Sequence, residues 1–303
     1  MKILVAGASG FIGSYLTGFM LKRAHHVIGV ARSQPKQAIL DPNYRFIAAD
    51  TTLPGPWQES LADVEAVINL AGRSIFGRWN PAVKTEIRES RIRTTHHVVQ
   101  GLPSGKPTVL INASGVGHYG NRGDEVLAEE ASAGDDFLAR LSVDWEGEAL
   151  AADAKGARVV LTRFGVVLGK GGGAMAQMIP AFKAFLGGPL GNGRQWFPWI
   201  HIEDLAEAMQ FLIDRPEISG PVNCCAPEPV RQRDFAAALG CALKRPAVMP
   251  APAFMVRLAL GEFAEVLLGS QRAIPQTLLR HQFRFRHAHI RSALEAIVHT
   301  ESP

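Results

Sequence analysis

Cysteine is scarce. Cys224, Cys225 and Cys241 are the only three among 303 residues, and none stands in a Cys-x-x-Cys pattern. Adjacent cysteines rarely bridge each other, so a reduced, cytoplasmic setting is the better reading. Long apolar runs are lacking as well: no segment approaches the roughly eighteen uninterrupted apolar residues of a membrane span. The apolar start behind Lys2 is broken by Gly7, Ser9, Gly10, Gly13 and Ser14, which argues against a signal peptide. Neither export nor a membrane anchor is expected. Charge of one sign is in short supply too. A formal net charge of +4, spread along the chain, mildly favours anionic small ligands and gives no footprint for nucleic acid. Tyrosine is the last shortage: Tyr15, Tyr44 and Tyr119 are followed four residues on by Phe19, Ala48 and Gly123. No phenol has a lysine one helical turn away to lower its pKa. Internal repeats and low-complexity linkers are missing.

What is present suits an ordinary soluble enzyme of one or two lobes, with 47% hydrophobic and 20% charged residues to build a large core. The chain is organised around its first stretch, KILVAGASGFIGSYLTGFML from Lys2 to Leu21. A short apolar run, glycines at Gly7, Gly10 and Gly13, and helical periodicity from Phe11 to Lys22 read as strand, tight turn and helix. Glycine suits a turn with backbone angles closed to other residues. It also lets a diphosphate approach bare N–H groups at the positive end of the helix. Dinucleotide binding is the expectation.

His26 to Ala31 reads as a second strand. A fold specific for NAD usually carries Asp or Glu about 20 residues past the glycines, to hold the ribose 2′-hydroxyl. Here the count reaches Ala31, Arg32 and Ser33, then Lys36, with no acid among them. A guanidinium and a hydroxyl suit a 2′-phosphate, so NADP(H) is favoured. Tyr44 to Ala49 forms a third strand ending at Asp50, where an adenine edge could be met. Glu65 to Leu70 forms a fourth, running into Ala71 and Gly72, whose small size lets a cofactor lie across the sheet. Asn80 and Pro81 open a long helix to about Gln100. On it Lys84, Ile87, Arg88 and Arg91 share a face, which spacing alone reads as a solvated basic stripe.

Thr108 to Ala113 is the fifth strand. Ser114 stands at its carboxyl end, where ligands collect in open α/β sheets. With His118 and Tyr119 close behind, either a catalytic set or a glycine-rich loop with ordinary polar residues fits. A helix is expected over Asp135 to Lys155, and a sixth strand from Arg158 to Leu161 runs on to Gly169. Beyond Gly171 the strand–helix alternation weakens. Helices are expected at Ala174 to Phe185, Glu203 to Ile213, Gln232 to Leu243, Pro252 to Leu267 and Ile290 to Val298, with a strand over Pro221 to Cys225. The fold class is therefore α/β, a Rossmann-type doubly wound parallel sheet over residues 1–170 with a smaller substrate lobe over 171–303, some elements crossing between them. His201 lacks a second metal ligand at helpful spacing and reads as structural, so no metal is expected. The run RHQFRFRHAHIR from Arg280 to Arg291 interleaves aromatics with cations, which reads as local packing or contact with an anionic substrate group.

The GASGFIG turn, the NLAG strand end and the serine after strand five resemble an extended short-chain dehydrogenase/reductase. RWNPAVKTEIRESRI (78–92), DFLARLSVDWEGEA (136–149), GVVLGKGGGAM (165–175), FPWIHIEDL (197–205) and SQRAIPQTLLRHQFRFRHAHIRSAL (270–294) narrow this to the atypical branch called epimerase family protein, or loosely a SulA-type cell-division inhibitor. The resemblance implies that Gly7, Ser9, Gly10, Phe11, Ile12 and Gly13 hold the diphosphate and that Arg32 and Ser33 meet the 2′-phosphate. It further implies that Leu70, Ala71 and Gly72 lie beneath the adenosine half, that Glu86 and Arg91 reach the cofactor, and that Val167 packs near the nicotinamide. The wider superfamily passes protons through a Tyr-x-x-x-Lys pair; the matching helix here offers Leu141 and Trp145. Ser114 matches the remaining hydroxyl, with Tyr119 or His118 standing in for the tyrosine. An NADP(H)-dependent oxidoreductase or epimerase-like enzyme acting on a small or nucleotide-linked substrate is expected, with a non-catalytic NADP(H) sensor as the alternative. Extended members are often dimers through helices beside strand five; a homodimer is one reading of the assembly, and the oligomeric state stays open, with no mark of it in Asp135 to Lys155.

Overall fold

The computed structural model describes residues 1–35 and 37–299; Lys36, read beside Arg32 in the sequence, and the last four residues of the expected substrate lobe lie outside the described residues. A seven-stranded, all-parallel sheet runs through the molecule. Its first five strands are β1 (Lys2–Ala6), β2 (His26–Ala31), β3 (Tyr44–Ala48), β4 (Ala66–Asn69) and β5 (Val109–Gly115). The order across the sheet is Gly220–Cys224, Arg158–Phe164, β5, β4, β1, β2, β3. Strand order therefore reverses between β1 and β4, and the crevice at their carboxyl ends is where open α/β sheets take ligands.

Every residue from Ile3 to Ala6 is buried, as expected of a parallel strand covered on both faces. Ile3 and Val5 pack with Leu16 and Met20 of α1 (Phe11–Leu21) and with Leu205, Met209 and Leu212 of the helix Ile202–Asp214. Leu4 and Ala6 pack on the opposite side with Val98 and Val99 of α2 (Pro81–Gly101). The alternation of strand side chains thus gives each layer its half of the core. Asn80 caps α2, its Oδ1 accepting the Val83 N–H at 2.9 Å, and Pro81 supplies the first turn. The helix expected over Asp135 to Lys155 is α3 (Phe137–Leu150), capped by Asp136, followed by a 3-10 turn closed by Gly156 in the left-handed region at φ +82°.

Two expected elements are interrupted. The sixth strand stops at Phe164, because Gly165 lies so close to the Pro198–Trp199 backbone that a Cβ would be 3.0 Å from it. Val166–Leu168 then leaves the main sheet to pair with Trp199–His201. The helix expected over 252–267 is broken by Gly261 at φ +60° into Ala253–Leu260 and Ala264–Leu268.

Beyond residue 171 the chain packs an apolar cluster of Met175, Phe182, Trp199, Phe235, Leu239 and Leu294 together with Leu168. It also returns to the sheet, with Gly220–Cys224 at one edge and Leu278 and Phe283 against the layer of α1. Packing and ion pairing account for several members of the aromatic and cationic run: Phe283 is buried, Arg280 meets Glu130 at 3.6 Å, Arg286 meets Glu203 at 3.2 Å and His289 meets Glu228 at 2.8 Å. No helix among the described residues is long and apolar enough to cross a membrane.

Candidate functional site

The turn between β1 and α1 is drawn tightly against the end of β4. Gly7 has φ +82°, and a Cβ there would lie 3.0 Å from the backbone of Leu70 and Ala71. A Cβ at Gly13 would lie 2.1 Å from the Gly7 carbonyl oxygen, so only glycine lets the helix start beneath the turn. Gly10 is the N-cap of α1 and offers no side-chain cap. The first-turn N–H groups of a helix have no intrahelical acceptor, so this end of α1 suits an anion.

A groove of about 520 Å³ opens above it. Ten of the residues anticipated from the sequence line this groove: Gly7, Ser9, Gly10, Arg32, Ser33, Asp50, Leu70, Ala71, Gly72 and Glu86. Asp50 Oδ1 accepts the Thr52 hydroxyl at 2.7 Å and the Thr52 N–H at 3.0 Å. Those bonds hold its carboxyl below the ordinary carboxylate range, and Arg32 and Arg93 add to the effect. Two guanidinium groups therefore flank the tips of β2 and β3.

The face of α2 turned to the groove carries Glu86, Glu89, Ser90, Arg93 and Thr94. Their spacing is that of one helical face, a signal the sequence reading passed over in favour of the neighbouring stripe. That stripe is not solvated as a whole. Ile87 is core, Arg88 pairs with Asp144 at 2.9 Å and Lys84 with Glu262 at 2.7 Å. Arg91, which the resemblance brings to the cofactor, packs against Gly72 at the groove wall. Its Nη1 donates to the carbonyls of Ile87 and Arg73, both at 3.0 Å, and its guanidinium lies 5.2 Å from the Trp145 ring. A Cβ on Gly72 would be 3.1 Å from Arg91 Cζ, and burial lowers the pKa of this guanidinium to about 10. Arg73, which pairs with Glu86, is a further lining residue missed from the sequence.

Four other anticipated residues brace the groove without lining it. Gly13 is the close approach just described. Ile12 and Val167 are partly buried against the sheet core, and Val167 pairs with Ile200. The Phe11 ring fills the space beside Gly169, Gly172 and Gly173, where a Cβ would come within 2.2 to 2.9 Å of it. This explains why the loop after Leu168 is so rich in glycine.

The end of β5 is built differently. Ser114 Oγ donates to Glu146 Oε1 at 2.6 Å. Arg163 donates to the same carboxylate through Nε at 2.9 Å and Nη2 at 2.8 Å, and through Nη1 to the Tyr119 hydroxyl at 3.1 Å and the Glu129 carbonyl at 3.0 Å. Tyr119 donates to Asn223 Oδ1 at 2.7 Å. Tyr119, expected with His118 as a stand-in for the missing tyrosine, lies inside this network: its ring has no exposed surface, its hydroxyl joins two strands to the loop, and burial raises its pKa to about 12. His118 lies with Nδ1 3.7 Å from Glu146 Oε1 and without a hydrogen-bond partner. Burial lowers its pKa, against the pull of Glu146. Glu146, on the inward face of α3 (Phe137–Leu150), is the residue that gathers Ser114, His118 and Arg163, and it was not singled out from the sequence. Leu141 and Trp145 are both buried, and Trp145 Nε1 donates to Thr95 at 2.8 Å.

His201 has two companions in space, Glu203 two residues on and His287 from much later in the chain, and only the second is hidden by chain spacing.

Residues 3–225 match the NAD dependent epimerase/dehydratase family, and residues 251–297 match a domain of unknown function, DUF1731. The chain belongs to the NAD dependent epimerase/dehydratase family. It is 44% identical over 295 residues to an epimerase family protein of Mycobacterium bovis, covering 96% of each chain. It is 40% identical over 302 residues to the chloroplastic epimerase family protein SDR39U1 homolog of Arabidopsis thaliana, covering 98% of this chain and 87% of that one. The crystal structure of human epimerase family protein SDR39U1 with NADPH superimposes with a TM-score of 0.86 at 32% identity, covering 98% and 99% of the two chains. UDP-glucuronic acid 4-epimerase from Bacillus cereus, solved with NAD, shares the fold at a TM-score of 0.80 and 20% identity. Membership of this epimerase-like branch of extended short-chain dehydrogenase/reductases agrees with the motifs. The looser description as a SulA-type cell-division inhibitor finds no support in these relatives.

Proposed function

We propose that the chain binds NADP(H) and acts as an NADP(H)-dependent oxidoreductase on a small acceptor held by the part of the chain beyond residue 171. The observation that carries the reading is the pair of guanidinium groups, Arg32 and Arg93, beside Ser33 and around Asp50 at one end of the groove. A 2′-phosphate placed there gains charge-assisted hydrogen bonds that a bare ribose hydroxyl does not. The uncapped start of α1 suits the diphosphate, and Ala71 and Gly72 leave room for the adenosine half. The human relative solved with NADPH supports the same choice.

Bound nicotinamide would supply or take a hydride. Ser114, at the end of β5, would orient the acceptor, and its hydroxyl must turn from Glu146 to do so. With Tyr119 buried and Leu141 and Trp145 in place of the usual acid/base pair, a proton would come from water or from His118. Acceptors that need little help with protons, such as quinones or flavins, fit this site best. A second reading, a non-catalytic NADP(H) sensor that shows a surface to a protein partner, is favoured by that same commitment of Ser114 to Glu146.

Titration of the purified protein with NADPH and NADH, followed by nicotinamide fluorescence beside Arg32→Ala, tests the cofactor. Binding of NADPH that is lost in the variant supports it; no binding of either nucleotide overturns both readings. NADPH consumption with carbonyl and quinone acceptors then separates enzyme from sensor.

A further inference from the structure

His201 closes the short strand Trp199–His201 and caps the helix Ile202–Asp214, its Nδ1 accepting the Glu203 N–H at 3.2 Å. The facing residue comes from much later in the chain. Asp204 Oδ1 accepts the Arg286 N–H at 2.8 Å and its Oδ2 accepts the His287 N–H at 2.9 Å. This double hold lays the His287 ring over the His201 ring, with centroids 3.8 Å apart and planes tilted by 35°. Glu203 Oε2 then sits 3.0 Å from His287 Nε2. Each of His201, Glu203 and His287 brings a donor atom within 4.8 Å of the other two. Both imidazoles are nearly buried, while Glu203 reaches partly exposed surface.

We propose that His201, Glu203 and His287 form a binding site for a divalent transition metal of the zinc class, which staples the helix Ile202–Asp214 to the C-terminal segment. Two imidazole nitrogens and one carboxylate oxygen are a donor set that zinc accepts and that calcium and magnesium do not favour. In a tetrahedral zinc site, donor atoms stand about 3.3 Å apart, as bonds of about 2.0–2.1 Å require. The three atoms lie within 4.8 Å of one another, and reaching that spacing requires the two stacked rings to turn until both nitrogen lone pairs point at one place. The ion would take the place of the proton between His287 Nε2 and Glu203 Oε2, that proton moving to Nδ1 of the ring. From His201 it would take the Nδ1 lone pair in exchange for a long cap bond. Arg286, 3.2 Å from Glu203 Oε2, must swing aside, and its side chain is 71% exposed and free to do so. Asp204 would act as the outer support, fixing the backbone that carries His287. Two ligands lie in the part of the chain that matches the epimerase family and the third in the part that matches DUF1731, so the ion would join those two parts.

The test is calorimetric titration of tag-free, chelator-treated protein with zinc chloride alone, with thermal unfolding read in parallel. One equivalent should bind and raise the unfolding midpoint, and His287→Gln and Glu203→Gln should each weaken binding by about tenfold or more. Absence of saturable zinc binding, or binding unchanged in the two variants, overturns the site. If either variant fails to unfold cooperatively, cobalt added to the unaltered protein decides. Intense visible bands of four-coordinate cobalt support the site, and only the weak bands of octahedral cobalt overturn it.

Discussion

The two ends of the crevice treat polar groups in opposite ways. At the tips of β2 and β3, Arg32 and Ser33 are exposed, Arg93 faces an open groove, and Asp50 is held by two bonds from Thr52 with both guanidinium groups acting on it. At the end of β5, Ser114, Glu146, Arg163, Tyr119 and Asn223 are buried and bonded to one another. Groups left facing water can be recruited by a ligand with little rearrangement, whereas a ligand at the buried set must replace bonds that already exist. On the proposed function, affinity for the nucleotide is built in at one end. If the proposed chemistry takes place at the other end, it works with what the network leaves over, which is Ser114 turning from Glu146 and His118 beside it.

The sharpest way to break the comparison is at its buried end. Glu146→Ala leaves the Arg163 guanidinium inside the protein without its carboxylate, and removing one partner of a buried ion pair costs about 3–5 kcal/mol. Denaturant unfolding should show a loss of that size. A loss near zero would mean that water reaches the network and that the two ends are not so different. The open end predicts a smaller effect of another kind. Arg32→Ala should leave stability nearly unchanged and weaken NADPH binding about 10–100-fold, corresponding to about 1.5–3 kcal/mol for a hydrogen bond to a charged group. NADH binding should barely move, and equal weakening of both nucleotides would remove Arg32 from the 2′-phosphate.

Tyr119→Phe comes next in size and tests the placement of the phenol most directly. The change leaves Asn223 Oδ1 without its donor and Arg163 Nη1 without one acceptor, at a cost of about 1–2 kcal/mol. NADPH affinity should stay the same, and so should any NADPH-consuming activity found. A fall in turnover with stability intact would return Tyr119 to the role its neighbours in the sequence suggested.

What the sequence shows of this site and what it hides have a physical basis. The glycine turn, the arginine after β2 and the Asn80–Pro81 helix start are local signals, because a few adjacent residues determine backbone angle, charge and capping. Burial is not local. Tyr119 lies among glycines and looks exposed in the sequence, yet Arg163 and Asn223, from two later strands, close over it. Glu146 was illegible for the same reason, since Ser114 and Arg163 give it meaning only once their strands are adjacent. On α2 helical spacing defined the faces correctly but could not say which of them Ile87 draws inward. The breaks at Gly165 and Gly261 likewise depend on close approaches and turn angles set by distant chain.

His118 gives the smallest effect and the finest distinction. Burial lowers its pKa from the ordinary 6.5, with Glu146 pulling upward and Arg163 pushing down. Below pH 6.5 the unfolded chain therefore holds a proton that the folded chain resists. This contribution to stability is complete above the unfolded value and is lost as the pH falls below it towards the folded one. For one proton the slope is at most about 1.4 kcal/mol per pH unit. His118→Asn has nothing to titrate there, so the difference in unfolding free energy between about pH 7.5 and about pH 5.5 should narrow in the variant. An unchanged difference would mean that the imidazole is hydrated and takes up protons as readily folded as unfolded. It would then belong with the open end of the crevice, and His118 rather than Ser114 would be the group to place against the acceptor.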